Sequence, residues 1–109
     1  MHPTPDIAVV LRTLADPTRR ALYERIVKAG ELTVGDLVRT AAVSQPAISQ
    51  HLKALRETRL VTERREGRNV HYSANPAGLA PMVDWMTVYG LFWRDRFTNL
   101  RALLKEIDP

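Results

Sequence analysis

The stretch that decides the fold is "VSQPAISQHLKAL", residues 43–55. Ile48, Leu52 and Leu55 recur at i, i+4 and i+7, which predicts a helix with one narrow apolar side. Pro46 fits the first turn of that helix, because the N–H that proline lacks has no partner there. The other faces carry short neutral side chains that both donate and accept hydrogen bonds. The stretch therefore predicts a surface helix whose polar face binds another molecule.

A second helix precedes this one. Thr33 begins "TVGDLVRTAA" with Asp36 three residues later, the capping-box pattern that begins a helix. A short break follows, and either Ser44 or Gln45 caps the next helix. Two helices of about three turns joined by a turn of three or four residues form a helix-turn-helix, predicted over about 33–58.

Two further helices are predicted upstream, over about 6–15 and 17–29. Asp16 is a suitable N-cap and Pro17 suits the first helical position. Gly30 ends the second helix.

Downstream, the apolar period changes to two. The segments "VTERR" and "NVHYS" around "EGRN" predict a small β-hairpin over about 60–73, and its inward residues are Val61, Val70 and Tyr72. Three arginines lie near its tip: Arg64, Arg65 and Arg68. Neighbouring residues of a strand point to opposite faces, so Arg64 and Arg65 cannot both face one partner.

A last helix is predicted over about 77–107, and it holds both tryptophans and both phenylalanines of the chain. A chain of this length cannot cover so long an apolar helix, and an uncovered patch of this size marks an interface. We therefore expect self-association through this helix and the first one. The expected interface residues are Ile7, Leu11, Met82, Trp85, Met86, Tyr89, Phe92, Trp93 and Phe97.

Composition limits the class of protein. The 109 residues are expected to form a single domain, 1–109, and 45% of them are apolar. Zero cysteines exclude disulfides and thiolate metal sites, and no apolar run is long enough to span a membrane. The first residues lack the pattern of a secretory signal, so a cytoplasmic protein is expected.

Positive charge is concentrated in one segment. The net charge is +4, and residues 53–68 hold six basic against three acidic residues. A basic run that follows a helix and forms a hairpin favours a polyanionic partner over an ordinary solvated surface.

The order helix, helix, helix-turn-helix, charged hairpin, helix is the winged helix-turn-helix arrangement. The segments "LADPTRRALYERI", "ELTVGDL", "SQPAISQHLKALRETRLV" and "REGRNVHY" resemble the ArsR/SmtB family of bacterial transcriptional repressors over about residues 7–75. The resemblance implies a mostly α fold with about five helices and a two-stranded wing. It also implies a homodimer, built on the first and last helices, that binds operator DNA and blocks transcription.

Many members of that family sense metals, but the ligands are not present here. Thr33 and Gly35 stand where the family's "ELCVCDL"-like segment has two thiolates. At a second family site on the last helix, Asp84 is present, whereas Met86 and Phe97 occupy the next ligand positions. The three histidines lack metal-ligand spacing: His2, His51 and His71. We expect no metal site and no cofactor.

A smaller departure is Arg59 in "RETRLV", where the family normally has glycine. Helices often end there in a left-handed backbone, which costs a non-glycine residue on the order of 1 kcal/mol. Either the turn closes differently, or Arg59 is tolerated because it reaches the DNA backbone.

The fourth helix is expected to enter the major groove, whose edges amide and hydroxyl groups can read. The candidates for base reading are Gln45, Pro46, Ser49, Gln50 and His51. Lys53 suits a guanine or a phosphate, and Thr33 and Ser44, at helix N-termini, suit phosphates. The hairpin arginines suit the flanking backbone or minor groove.

Two other classes of function compete with this hypothesis. The first is a winged-helix module whose basic wing binds an acidic protein. The second is an enzyme, which the absence of a nucleophile–base pair, a phosphate-binding glycine loop and a carboxylate dyad disfavours. The signal that would release the protein from DNA stays open: a small organic ligand, a partner protein, or none.

Overall fold

The computed structural model of the protein describes residues 6–107. These residues form five α-helices, a three-stranded antiparallel sheet and one turn of 3-10 helix, Pro76–Leu79. The helices and strands are α1 (Ile7–Ala15), α2 (Pro17–Ala29), β1 (Glu31–Thr33), α3 (Val34–Thr40), α4 (Gln45–Glu57), β2 (Val61–Glu66), β3 (Asn69–Ala74) and α5 (Ala80–Ile107). The predicted fold class, a mostly α winged helix-turn-helix, is confirmed.

The helices begin at the capping residues that the sequence predicts. The Asp16 carboxylate accepts a hydrogen bond from the Arg19 backbone N–H at 2.9 Å, and Pro17 follows in the first turn. Thr33 and Asp36 form the complete capping box. At α4 the cap is Ser44, whose hydroxyl accepts from the Ala47 N–H at 3.3 Å. The alternative cap, Gln45, is the first helical residue.

The apolar side of α4 lies at the centre of the core. Ile48, Leu52 and Leu55 are at most 1% exposed, as their spacing predicts. They pack in one cluster with residues of α1, α2, α3 and the hairpin: Val10, Leu22, Tyr23, Ile26, Leu37, Leu60, Val61 and Tyr72. Because this side of α4 is fixed against the core, its polar side must face solvent.

The hairpin belongs to a larger sheet than predicted. β1, which the sequence analysis missed, pairs antiparallel with β3, so the strand order is β1-β3-β2. Three residues are too few to show an alternating pattern. Between β2 and β3 the two-residue loop has Gly67 at φ 61°, which fits the II′ hairpin turn with glycine first. Arg68 is therefore at the tip of the wing.

Arg59 adopts the left-handed conformation, with φ 62°. The Leu60 N–H donates to the Leu55 carbonyl at 2.9 Å, and the Arg59 N–H donates to the Arg56 carbonyl at 3.0 Å. These two bonds are the Schellman closure of a helix C-terminus. Of the two alternatives above, a differently closed turn is therefore excluded: Arg59 carries the strain that a glycine would not.

Arg59→Gly is expected to stabilise the protein by about 0.5–1 kcal/mol, because glycine adopts positive φ without a Cβ clash. Urea unfolding measures this as a higher midpoint at unchanged slope. Arg68→Gly is the control, since Arg68 is also exposed but has no positive φ. A loss of stability in Arg59→Gly would show that the arginine side chain contributes more than its backbone strain costs.

α5 is 28 residues long, about 42 Å at 1.5 Å per residue. It packs against α1 and then continues past the core. We define the apolar side of α5 as the arc of about 140° occupied by Met82, Trp85, Met86, Tyr89, Phe92, Trp93, Phe97, Leu100, Leu103 and Leu104. Met82 packs partly against the chain's own core, whereas the other nine are 45–57% exposed. Within residues 6–107, no helix is long and apolar enough to cross a membrane.

Candidate nucleic-acid interface

The polar face of α4 is open to solvent along its length. Five of the predicted DNA-contacting residues on it are exposed: Gln45, Pro46, Ser49, Gln50 and Lys53. Ser44, just before the helix, is exposed as well and keeps its hydroxyl on the Ala47 N–H. Hydroxyl and amide groups on an accessible helix can reach base edges in a major groove.

A concave groove joins this face to the wing. Its volume is about 570 Å³, and it lies between the start of α3, the first turns of α4 and the tip of the hairpin. Four predicted site residues line it: Thr33, Gln45, Ser49 and Arg68. The fold thus brings together residues that are up to 35 positions apart in the sequence.

Six further residues line the groove, and three of them, Gly35, Arg39 and Asn69, add polar groups or backbone to it that the sequence analysis did not assign to DNA binding. Arg39 is exposed at the end of α3 and forms an ion pair with Asp36. Arg39 follows Gly35 by four residues, a spacing that puts both on one side of α3 and could have indicated that Arg39 shares the helix-turn-helix surface. Asn69 carries no such signal, because its place depends on the hairpin turn.

On the wing, Arg64 is engaged within the protein. Its guanidinium donates to Glu31 Oε1 and to Glu66 Oε2, both at 2.7 Å. His71 Nδ1 lies 3.1 Å from the same Glu31 oxygen. The hydrogen bonds from Arg64 hold the pKa of Glu31 and of Glu66 below their ordinary values. Both carboxylates are thus ionised at neutral pH, and they neutralise much of the Arg64 charge.

Arg65 and Arg68 differ from Arg64 in this respect. Arg65 pairs across the sheet with Val70, whereas Arg64 pairs with His71, so the two arginines are on opposite faces as predicted. Among residues 6–107, no carboxylate forms an ion pair with Arg65 or Arg68. The free positive charge of the wing is therefore at Arg65 and Arg68, and the case for Arg64 as a DNA contact weakens.

His51 lies apart from the exposed group. It is half-buried, and its Nδ1 atom is enclosed without a hydrogen-bond partner among the described residues. The pKa of Asp16, at the start of α2, is lowered mainly by the hydrogen bond from the Arg19 N–H and to a smaller extent by the proximity of His51. His51 thus lies on the flank of α4 that faces α2, a weaker position for reading bases than that of Ser49 or Gln50.

The chain is similar in sequence to known transcriptional regulators. A family model described as a helix-turn-helix domain matches residues 14–64. The HTH-type transcriptional regulator Rv2034 of Mycobacterium tuberculosis is 43% identical over 93 residues, which cover 85% of this chain and 83% of the relative. The arsenical resistance operon repressor of Escherichia coli is 34% identical over 101 residues, covering 90% and 81%. The chain belongs to the ArsR/SmtB family.

This ArsR/SmtB protein has the same fold as solved members. An ArsR-like transcriptional regulator from Rhodococcus sp. RHA1 superposes with a TM-score of 0.69 at 27% identity, over 88% of this chain and 90% of that one. The protein is accordingly a DNA-binding transcriptional regulator, in a family of regulators rather than enzymes. In this fold α4 is the second helix of the helix-turn-helix and the β2–β3 hairpin is the wing.

The metal-ligand positions of the family lie in the groove and on α5. Thr33 and Gly35, at the thiolate positions, line the groove beside the wing tip. Across residues 6–107, no three His, Cys, Asp or Glu side chains are grouped as metal ligands. At the thiolate positions Thr33 offers only a hydroxyl, which caps α3, and Gly35 offers no side chain, so neither fits a soft metal ion.

Proposed function

We propose that this regulator is a homodimeric repressor that binds operator double-stranded DNA, with one α4 of each copy in the major groove. The observation that supports this most is the shared groove: the polar face of α4 and the wing cation Arg68, which has no ion pair within residues 6–107, open onto the same concavity. A DNA strand following that concavity would meet the recognition helix and the wing together.

Distinct roles follow from chemistry and position. Gln45, Ser49 and Gln50 read base edges through hydrogen bonds, and Pro46 contributes shape. Lys53 reaches a guanine or a phosphate. Thr33 and Ser44, at the starts of α3 and α4, hold phosphates, together with Arg65 and Arg68 on the wing. Arg64 stabilises the wing from the face opposite to that of Arg65. Of the predicted DNA contacts, His51 has the least structural support.

The proposed dimer forms through the apolar side of α5 together with α1. Leu11 of α1 is 51% exposed beside this helix, and Ile7 is half-buried. Exposed apolar patches of this extent in a regulator mark a contact with another chain. A second copy supplies an identical apolar side, as the symmetry of a two-fold interface requires.

The regulator is proposed to act in the cytoplasm, without a metal cofactor. The alternative function, a winged-helix module for an acidic protein partner, is not favoured by membership of a DNA-binding family. Loss of binding with salt, combined with preference among duplexes, separates the two.

Ser49→Ala and Gln50→Ala are expected to weaken binding to the preferred duplex by about 1–3 kcal/mol and to change binding to random duplexes little. These substitutions remove hydrogen bonds to base edges, which random sequences do not offer in the same pattern. Fluorescence anisotropy on the two duplexes measures both affinities. Equal loss on both duplexes would show that these residues contact the backbone instead.

Arg65→Ala and Arg68→Ala are expected to weaken binding to all duplexes alike. Each lost phosphate contact should make the slope of log affinity against log salt shallower by about one unit per subunit. Arg64→Ala is a matched control, because it removes the same charge from the opposite face, where Glu31 and Glu66 already pair with it. If Arg64→Ala changes the salt slope more than Arg65→Ala does, the outer face of the wing is the one that contacts DNA.

A further inference from the structure

An arginine interrupts the apolar side of α5. Arg96 falls inside that arc at about 100° per residue, three residues after Trp93 and one before Phe97. Its guanidinium carbon is 4.1 Å from the centre of the Phe92 ring and 5.7 Å from that of Trp93. Its Nη1 donates to the Phe92 carbonyl at 2.9 Å. The charge is thus held against the aromatic surface by cation–π contacts rather than extended into water.

No carboxylate of α5 is placed to neutralise this charge. The acidic residues of the helix, Asp84, Asp95 and Glu106, fall outside the apolar side, about 80–120° around the helix from Arg96. Within residues 6–107, no ion pair involves Arg96. The aromatic rings are its neighbours there.

The two-fold symmetry of the proposed dimer places two such arginines in one interface. A second copy covering this side brings an identical side, with its own arginine and without a carboxylate. Two guanidinium groups would then be desolvated without a counter-charge from either apolar side, which is strongly unfavourable. An anion between the helices would remove this cost, because guanidinium groups bind carboxylates through two parallel hydrogen bonds.

The surroundings of Arg96 indicate what kind of anion fits. One groove of about 480 Å³ is lined by Val88, Tyr89, Phe92 and Trp93. A second groove of about 320 Å³ adjoins it across Tyr89 and Trp93. Both are almost wholly apolar and aromatic, and each is of a size typical for small-molecule sites.

We propose that the α5 interface binds a small organic anion with a planar apolar body, whose anionic group pairs with Arg96. This inference rests on the homodimer of the proposed function. The body of the ligand would stack among the rings of Tyr89, Phe92 and Trp93. Binding there would change how the two α5 helices pack. The separation of the two recognition helices would change with that packing.

The test compares 2-naphthoate with 2-naphthamide, its neutral analogue of nearly the same shape. Isothermal titration calorimetry on the full chain should show 2-naphthoate binding at least about tenfold more tightly, since the carboxylate carries the opposite charge and offers two oxygens to the guanidinium, whereas the amide is neutral and offers one. Equal affinity for the two probes, or no binding of either, overturns the inference.

Two variants locate the anionic contact. Arg96→Gln should abolish the preference for 2-naphthoate over the amide. Arg94→Gln, which removes the same charge from the polar side of α5, should retain it. Loss of the preference in Arg94→Gln, or its retention in Arg96→Gln, overturns the assignment.

Light scattering on the same samples separates this inference from the proposed function. The dimer of Arg96→Gln without ligand should be at least as stable as the wild-type dimer, and 2-naphthoate should stabilise the wild-type dimer. A weaker Arg96→Gln dimer means that Arg96 pairs with a carboxylate of the other copy, which overturns the ligand site but leaves the repressor intact. A wild-type monomer overturns the dimer itself.

Discussion

Replacing Tyr89 with glutamate is expected to dissociate the proposed dimer at tens of micromolar and to weaken operator binding at least about a hundredfold. Tyr89 lies in the middle of the apolar side of α5 and is 46% exposed in the single chain. When the dimer forms, a carboxylate at this position would be desolvated without a partner of opposite charge, which costs several kcal/mol. A monomer also loses the gain of two linked half-sites, typically 10²–10⁴ in affinity.

Thr87→Glu is the matched control for this prediction. It introduces the same charge two residues away, about 160° around the helix, on the polar side. Size-exclusion chromatography with light scattering should give twice the chain mass for the wild type and for Thr87→Glu, and the chain mass for Tyr89→Glu. A Tyr89→Glu variant that stays dimeric with unchanged DNA affinity contradicts an interface through this side of α5.

Replacing Gly78 with alanine is expected to destabilise the fold by about 3 kcal/mol or more, as overpacking against a rigid backbone does. A Cβ atom at this buried position would lie 2.1 Å from the Arg59 carbonyl oxygen and 2.9 Å from the Leu60 Cα atom. These are backbone atoms of the Schellman turn, which also accepts a hydrogen bond from Asn75 at the Arg59 carbonyl. Neither the backbone at Arg59 nor the 3-10 turn that holds Gly78 can move without breaking the end of α4 or the start of α5.

Thermal unfolding followed by circular dichroism measures the effect, and a loss of about 3 kcal/mol lowers the melting temperature by 10 °C or more. Gly35→Ala is the control: its Cβ would lie 3.7 Å from the Thr33 hydroxyl, an ordinary contact. We expect it to melt near the wild-type temperature. A Gly78→Ala variant as stable as Gly35→Ala would contradict the close packing of the 3-10 turn on Arg59.

Those parts of the fold that depend on local chemistry could be predicted from the sequence. Helix starts follow from hydrogen bonds within four residues, so Asp16, Thr33 and Ser44 were recognisable as caps. The apolar spacing of α4 fixed which of its sides is buried, and the exposed polar face follows directly. At Arg59 the sequence left two alternatives open, a differently closed turn or a tolerated left-handed residue, and the observed φ of 62° shows the left-handed conformation.

Features that depend on distant contacts could not be predicted. β1 is too short for a pattern and exists because β3 pairs with it. Alternation shows that Arg64 and Arg65 face opposite ways, but only the fold shows that Glu31 reaches Arg64 across the sheet. Likewise, from the sequence His51 is only one more polar residue of α4, because its partial burial depends on how α2 packs against α4.

The central claim is that two copies of α4, with their wings, read an operator, and selection of bound duplexes from a random pool by the purified protein tests it most directly. A dimer with two recognition helices on one face of DNA predicts an imperfect inverted repeat, with half-site centres roughly 10–10.5 bp or a multiple of that apart. Enrichment of a single unrepeated motif, or of no sequence at all above the starting pool, would contradict it.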